Sequence, residues 1–154
     1  MQLNFKNLFP EFNGNSRVWT YLCNRKLTVL EVNEIQQELD GFTQSWKAHQ
    51  KQLNATATIL FNQYIIFAVD ESAAEITGCS IDSSVHFMKT LQVKIQADFF
   101  DRLNVLVKED SNIKLISYHD IENYKGASVF NPSIDRLHDL REKWLVEIKN
   151  APYF

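Results

Sequence analysis

Between residues 17 and 109 the apolar pattern changes period repeatedly, in the order strand, helix, strand, strand, helix, strand. No other feature constrains the fold as strongly, because a two-residue and a 3.6-residue period cannot serve the same element. RVWTYLCNRKL (17–27) is rich in aromatic and β-branched residues and reads as a strand. Asn33 follows as an N-cap, with Gln36 in the capping-box position. Ile35, Leu39, Phe42, Trp46, His49 and Leu53 then recur at intervals of four or three, which makes one helical stripe. Gly41 interrupts the stripe at a cost of roughly 1 kcal/mol relative to alanine.

ATATILF (55–61) and YIIFAVD (64–70) read as two strands joined in a tight hairpin at Asn62-Gln63. A second helix is expected from about 82 to 98, with Val85, Met88, Leu91 and Ile95 on its buried face. FDRLNVLVKE (100–109) is the next strand, and NIKLISY (112–118) an extra one after a turn at Glu109-Asp110-Ser111. A short helical turn is expected near HDIENY. NPS at 131–133 opens a C-terminal helix striped by Ile134, Leu137, Leu140, Trp144 and Ile148.

The order β-α-β-β-α-β predicts an α+β fold of ferredoxin-like topology, an antiparallel sheet with both helices on one face. The whole chain, 1–154, reads as a single domain. An irregular arm (1–16) precedes the core (17–110), and a C-terminal extension (111–154) follows. The second sheet face carries too many aromatics to stay wet. It is expected to be covered by the C-terminal helix, the arm or a second subunit.

Composition narrows the function classes. A net charge of −3 disfavours non-specific nucleic-acid binding, which needs a basic face, so no nucleic-acid partner is expected. Trp19, Tyr21, Tyr64 and Phe67 raise the idea of base stacking on a ferredoxin-like sheet. NQYIIFAVD, however, lacks the Lys/Arg-Gly start of that signature, so these read as core or interface aromatics. No run of about eighteen apolar residues suggests a membrane span, and the first residues lack signal-peptide character. Two distant cysteines, Cys23 and Cys79, do not form a disulfide framework, so a cytoplasmic protein with reduced thiols is expected. His49, His86, His119 and His138 are isolated, so no metal site and no cofactor are expected.

Alternating strand and helix directions bring several loops to one end of the sheet. Arg17, Trp46, His49, Asp70, Glu71, Cys79, Ser80, Asp82 and Ser83 are expected there, with Lys108 near them. GCSIDSS (78–84) is the densest part. A helix N-terminus of this kind can hold a phosphate or carboxylate, or lower the pKa of a thiol. The simpler reading makes Ser80 or Asp82 the helix cap and Cys79 a small buried hydrophobe. Paired acids at Asp70-Glu71 can do acid–base work or hold Mg²⁺, and a charged strand end in a solvated loop is the commoner explanation of such a pair.

RVWTYLCNR, FTQSWKAHQKQLNA, FAVDE, GCSIDSSV and FDR together resemble a small uncharacterised bacterial family, over roughly residues 17–110. Its members are often labelled "ABC transporter ATPase", and the resemblance implies no known activity. The residues oppose that label. A Walker A loop needs G-x-x-x-x-G-K-[ST], and this chain contains no Gly-Lys pair.

Three readings follow. The first is a binding domain for a small anionic ligand or a protein partner at the GCSIDSS end, with Arg17, Trp46 and His49. The second is a small enzyme with Cys79 as nucleophile, His49 as base and Arg17 as anion clamp. The third is a structural protein that forms a homodimer across its sheet face.

Overall fold

The computed structural model describes residues 3–150. The ends of the expected arm and extension, 1–2 and 151–154, lie outside them. The elements in chain order are β1 (Arg17–Leu22), α1 (Val29–Ser45), β2 (Lys47–Ala48), β3 (Lys51–Gln52), β4 (Asn54–Leu60), β5 (Tyr64–Asp70) and α2 (Gly78–Ile95). Then come β6 (Asn104–Glu109), β7 (Asn112–Ser117), a 3-10 turn (Tyr118–Tyr124), β8 (Ser128–Phe130), α3 (Leu137–Lys143), β9 (Leu145–Glu147) and a last 3-10 turn (Ile148–Asn150).

β5 organises the molecule. It lies between β1 and β4, antiparallel to both. Alternate side chains of a strand point to opposite faces, and here both faces are covered. Ile65, Phe67 and Val69 pack with Ile35 and Leu39 of α1 and with Met88, Leu91 and Ile95 of α2. Tyr64, Ile66 and Ala68 pack with Leu106, Phe130, Leu137, Leu140 and Trp144, and the arm adds Phe5, Leu8, Phe9 and Phe12. This double burial explains why YIIFAVD is continuously apolar rather than alternating. Tyr64 is buried enough for its phenol pKa to be pushed up to about 12.

The expected four-stranded sheet is met in part. β1, β5 and β4 sit as that topology requires, and both long helices pack on one face. β6 does not join them. It pairs with β7 and β8 in a second antiparallel sheet of order β7-β6-β8-β9, whose own cluster includes Val105, Val107, Val129 and Ile148. Residues 135 and 136 take the start of the β1 edge instead: Val18 N–H donates to the Asp135 carbonyl, and Arg17 bridges Arg136. The second face of the β1-β5-β4 sheet is therefore filled by the chain's own arm, α3 and second sheet.

Several boundaries differ from the sequence reading. α1 starts five residues earlier than expected, at a full Thr28/Glu31 capping box, because T-x-x-E carries the same chemistry as the Asn33 pattern. Its first turn exposes Val29 and Leu30, which hid it from a search for buried periodicity. The helix stops at Ser45 rather than running to Leu53. His49 and Gln50 adopt left-handed φ values of 51° and 67° at the tip of the β2–β3 hairpin. α2 spans 78–95, not 82–98, because Thr77 caps it. Its buried face includes Ser84, whereas Val85 is only half-buried. The turn between β4 and β5 takes three residues, Phe61 to Gln63, rather than two. The C-terminal stripe is buried as expected, but only Leu137–Lys143 of it is helical. Arg136, extended, bridges β1 just before the helix, and Trp144 returns a carbonyl to Asn131 N–H before β9 begins.

Candidate functional site

The end of the first sheet does gather many of the expected residues. Arg17 Nε lies 3.9 Å from Glu71 Oε1, and its guanidinium sits 5.1 Å from the centre of the Trp19 ring. Trp19 meets Trp46 edge-on, with ring centres 6.1 Å apart. Trp46, buried at the end of α1, donates its indole N–H to the Ser80 carbonyl at 2.8 Å. That bond ties the end of α1 to the first turn of α2. Sequence spacing alone does not disclose it, because the partners are thirty-four residues apart.

The polar groups at this end are engaged in building it. Glu71 Oε2 accepts the Ile76 N–H at 2.9 Å. Asp70 accepts both the hydroxyl and the backbone N–H of Ser72, and these bonds hold its pKa below the ordinary carboxylate range. Thr77 and Ser80 form a capping box: Ser80 N–H donates to Thr77 Oγ1 at 3.2 Å, and Thr77 N–H donates to Ser80 Oγ at 2.7 Å. Ser83 donates its hydroxyl back to the Cys79 carbonyl. The cap is therefore Thr77, not Ser80 or Asp82 alone, and two donors that an anion would need are occupied.

Cys79 is exposed rather than buried, and Cys23 is the buried thiol, its pKa raised by desolvation. His49 is exposed on the hairpin tip. β2 packs beside α2, so the hairpin and the GCSIDSS turn are neighbours. No hydrogen bond among the described residues joins His49 to Cys79. Lys108 stands apart, donating to the Asp110 carbonyl in the β6–β7 turn. Trp19, Tyr21 and Phe67 pack into the helix-side core and Tyr64 into the opposite one. Phe67 and Tyr64 are fully buried, and Trp19 and Tyr21 are partly buried with their rings packed on Trp46, Phe67 and Phe100.

A different surface emerges beside this end. α1 and α2 lie across the sheet, and along them runs a shallow, open furrow formed by two adjoining depressions of about 570 and 650 Å³. Both depressions share Phe42 and Phe87 as their floor. These rings stack with centres 4.6 Å apart and 27° between planes, and both side chains remain half-buried. Asp82, Ser83 and His86 line one end. Glu34, Glu38, Gly41 and Lys94 line the other. The residues that sequence reasoning missed are Phe87 and His86. In the sequence Phe42 has the spacing of a core-stripe position, and Asp82 and Ser83 that of a helix N-terminus.

The two helices are tied together at both ends of the furrow. Arg25 pairs with Glu31 through two bonds of 2.9 and 2.7 Å and also donates to the Ile95 carbonyl, pinning the start of α1 to the end of α2. This pairing holds the Glu31 pKa down to about 2. Lys94 reaches Glu38 and, at 3.4 Å, Glu34. Trp46 ties the opposite end.

Comparison with protein-family models, with curated proteins and with solved structures returns no match. Among the described residues no helix is long and apolar enough to cross a membrane.

Proposed function

We propose that this chain is a binding module that recognises a protein partner through the α1–α2 furrow. The observation that carries the reading is the Phe42–Phe87 stack, an aromatic pair that packs against the core yet stays partly exposed on the floor of the furrow. A large apolar side chain buried against such a floor contributes about 1.5–3 kcal/mol.

The neighbouring readings have less behind them. The α2 N-terminus spends its capping donors internally and carries Asp82, which favours a structural turn over a small-anion site. Exposed Cys79 lacks a bonded base, which weakens the enzyme reading. A dimer across the sheet face would have to displace the arm and α3.

The test is photo-crosslinking from position 90 in cells of the source organism, since Thr90 is exposed and lines the furrow. The expected result is a defined protein adduct that is lost on Phe87→Ser and on Gly41→Gln. The second variant leaves the core intact, because a Cβ at Gly41 meets nothing within 4 Å. Lys149→Ala, in the last 3-10 turn, keeps the adduct. Identical adducts from all variants would refute the reading.

A further inference from the structure

We infer that the segment seated in the furrow is a basic amphipathic helix of the partner, an inference that rests on the furrow being the binding surface. Charge is the first argument. α1 carries Glu31, Glu34, Glu38 and Asp40 and no basic residue. The furrow itself is rimmed by the carboxylates of Glu34, Glu38 and Asp82 against the single ammonium of Lys94. Lys94 is already shared by Glu34 and Glu38, and Asp82 is exposed at the far end. A partner with lysine or arginine beside its apolar residues matches this rim. An acidic one is repelled by it.

Backbone chemistry is the second argument. The furrow is lined by two helices whose interior N–H and C=O groups are bonded within the helices. It offers no strand edge. An extended peptide laid there would cover its own backbone groups without partners, whereas a helix brings its backbone already satisfied. The dimensions agree. Glu34 to Ser45 on α1 and Ser83 to Lys94 on α2 each rise by about 17 Å, roughly three helical turns. That length presents anchors at i, i+3 or i+4, and i+7.

Gly41 is the third. It sits inside α1 at a cost of roughly 1 kcal/mol relative to alanine, and no neighbour within the protein requires its missing side chain. It lines the furrow beside Phe42, where a bare backbone lets a second helix approach closely.

The test uses two hydrocarbon-stapled helical peptides of about fourteen residues (~21 Å) with the same leucine stripe. One carries lysines beside the stripe, the other glutamates. Fluorescence anisotropy on the full chain should show the lysine peptide binding at least about tenfold tighter at low salt. The preference should shrink as salt rises. Asp82→Asn with Glu38→Gln should remove most of it, and Gly41→Gln should weaken both peptides. Equal affinity for the two peptides, with both still blocked by Gly41→Gln, would overturn the basic partner and leave the furrow as a docking site. Binding of neither peptide, or binding indifferent to Gly41→Gln, would overturn the inference, while the crosslinking experiment judges the furrow itself. A dimer in sedimentation that Gly41→Gln dissolves would assign the furrow to a second copy of this chain and overturn it too.

Discussion

Replacing Gly41 with alanine should make this protein more stable. Gly41 lies inside α1, with four helical residues after it. Its φ is not in the left-handed region, so an L side chain fits the backbone. A Cβ built there meets no atom within 4 Å, so the substitution adds neither a clash nor a packing contact. What remains is the helix-propensity difference, about 0.8–1.0 kcal/mol in a helix interior. Proximity to the helix end trims this to about 0.5–1 kcal/mol. For a chain of 154 residues, that corresponds to a rise in Tm of about 1–4 °C. Urea denaturation followed by tryptophan fluorescence is a direct assay, since Trp46 and Trp144 are both buried. The midpoint should rise with an unchanged slope. A neutral or destabilising result would refute the reasoning. It would mean that α1 does not run straight through position 41, or that α2 closes on it.

Two further outcomes follow from the same geometry. The Glu31 carboxyl has its folded-state pKa depressed to about 2 by Arg25, so the stability it contributes is present above the ordinary carboxylate pKa near 4.3 and is lost as pH falls towards 2. Both partners reach solvent, which limits the contribution to about 1 kcal/mol. Arg25→Met should therefore destabilise at neutral pH, and the gap to wild type should narrow in acid. A gap independent of pH would assign the effect to the Arg25–Ile95 bond instead. In native protein, iodoacetamide should label exposed Cys79 and spare Cys23 until the chain unfolds, and His49→Ala should leave the Cys79 rate unchanged. A several-fold drop in that variant would revive the nucleophile–base pair.

Some of the site was legible in the sequence. Arg17, Trp46, Glu71 and Ser80 were expected at one end of the sheet because alternating strand directions require it, and they do meet there. Their work is structural, which residue types alone do not reveal. The furrow was much less legible. Phe42 and Phe87 carry the signature of core aromatics, and nothing local distinguishes a ring that is covered from one left half open. Gly41 stood out as a cost in the helix, but its use depends on what lies above it.

Local chemistry determined the two long helices, the β4–β5 hairpin and the apolar character of β5, since hydrophobic period and capping depend on neighbours a few residues away. Tertiary structure decided the rest. Trp46 left the helix for a buried bond to α2, and the same stripe residues that would continue a helix became a hairpin. Ile134, Leu137, Leu140, Trp144 and Ile148 are all buried although the backbone that carries them passes from irregular chain through helix and strand to a 3-10 turn, because burial constrains which side chains point inward, not which backbone carries them. β6 pairs with β7 and β8, while residue 136 bridges the start of the β1 edge, so the partner of each strand is set by edges far apart in sequence. A period read along the chain contains no information about that pairing.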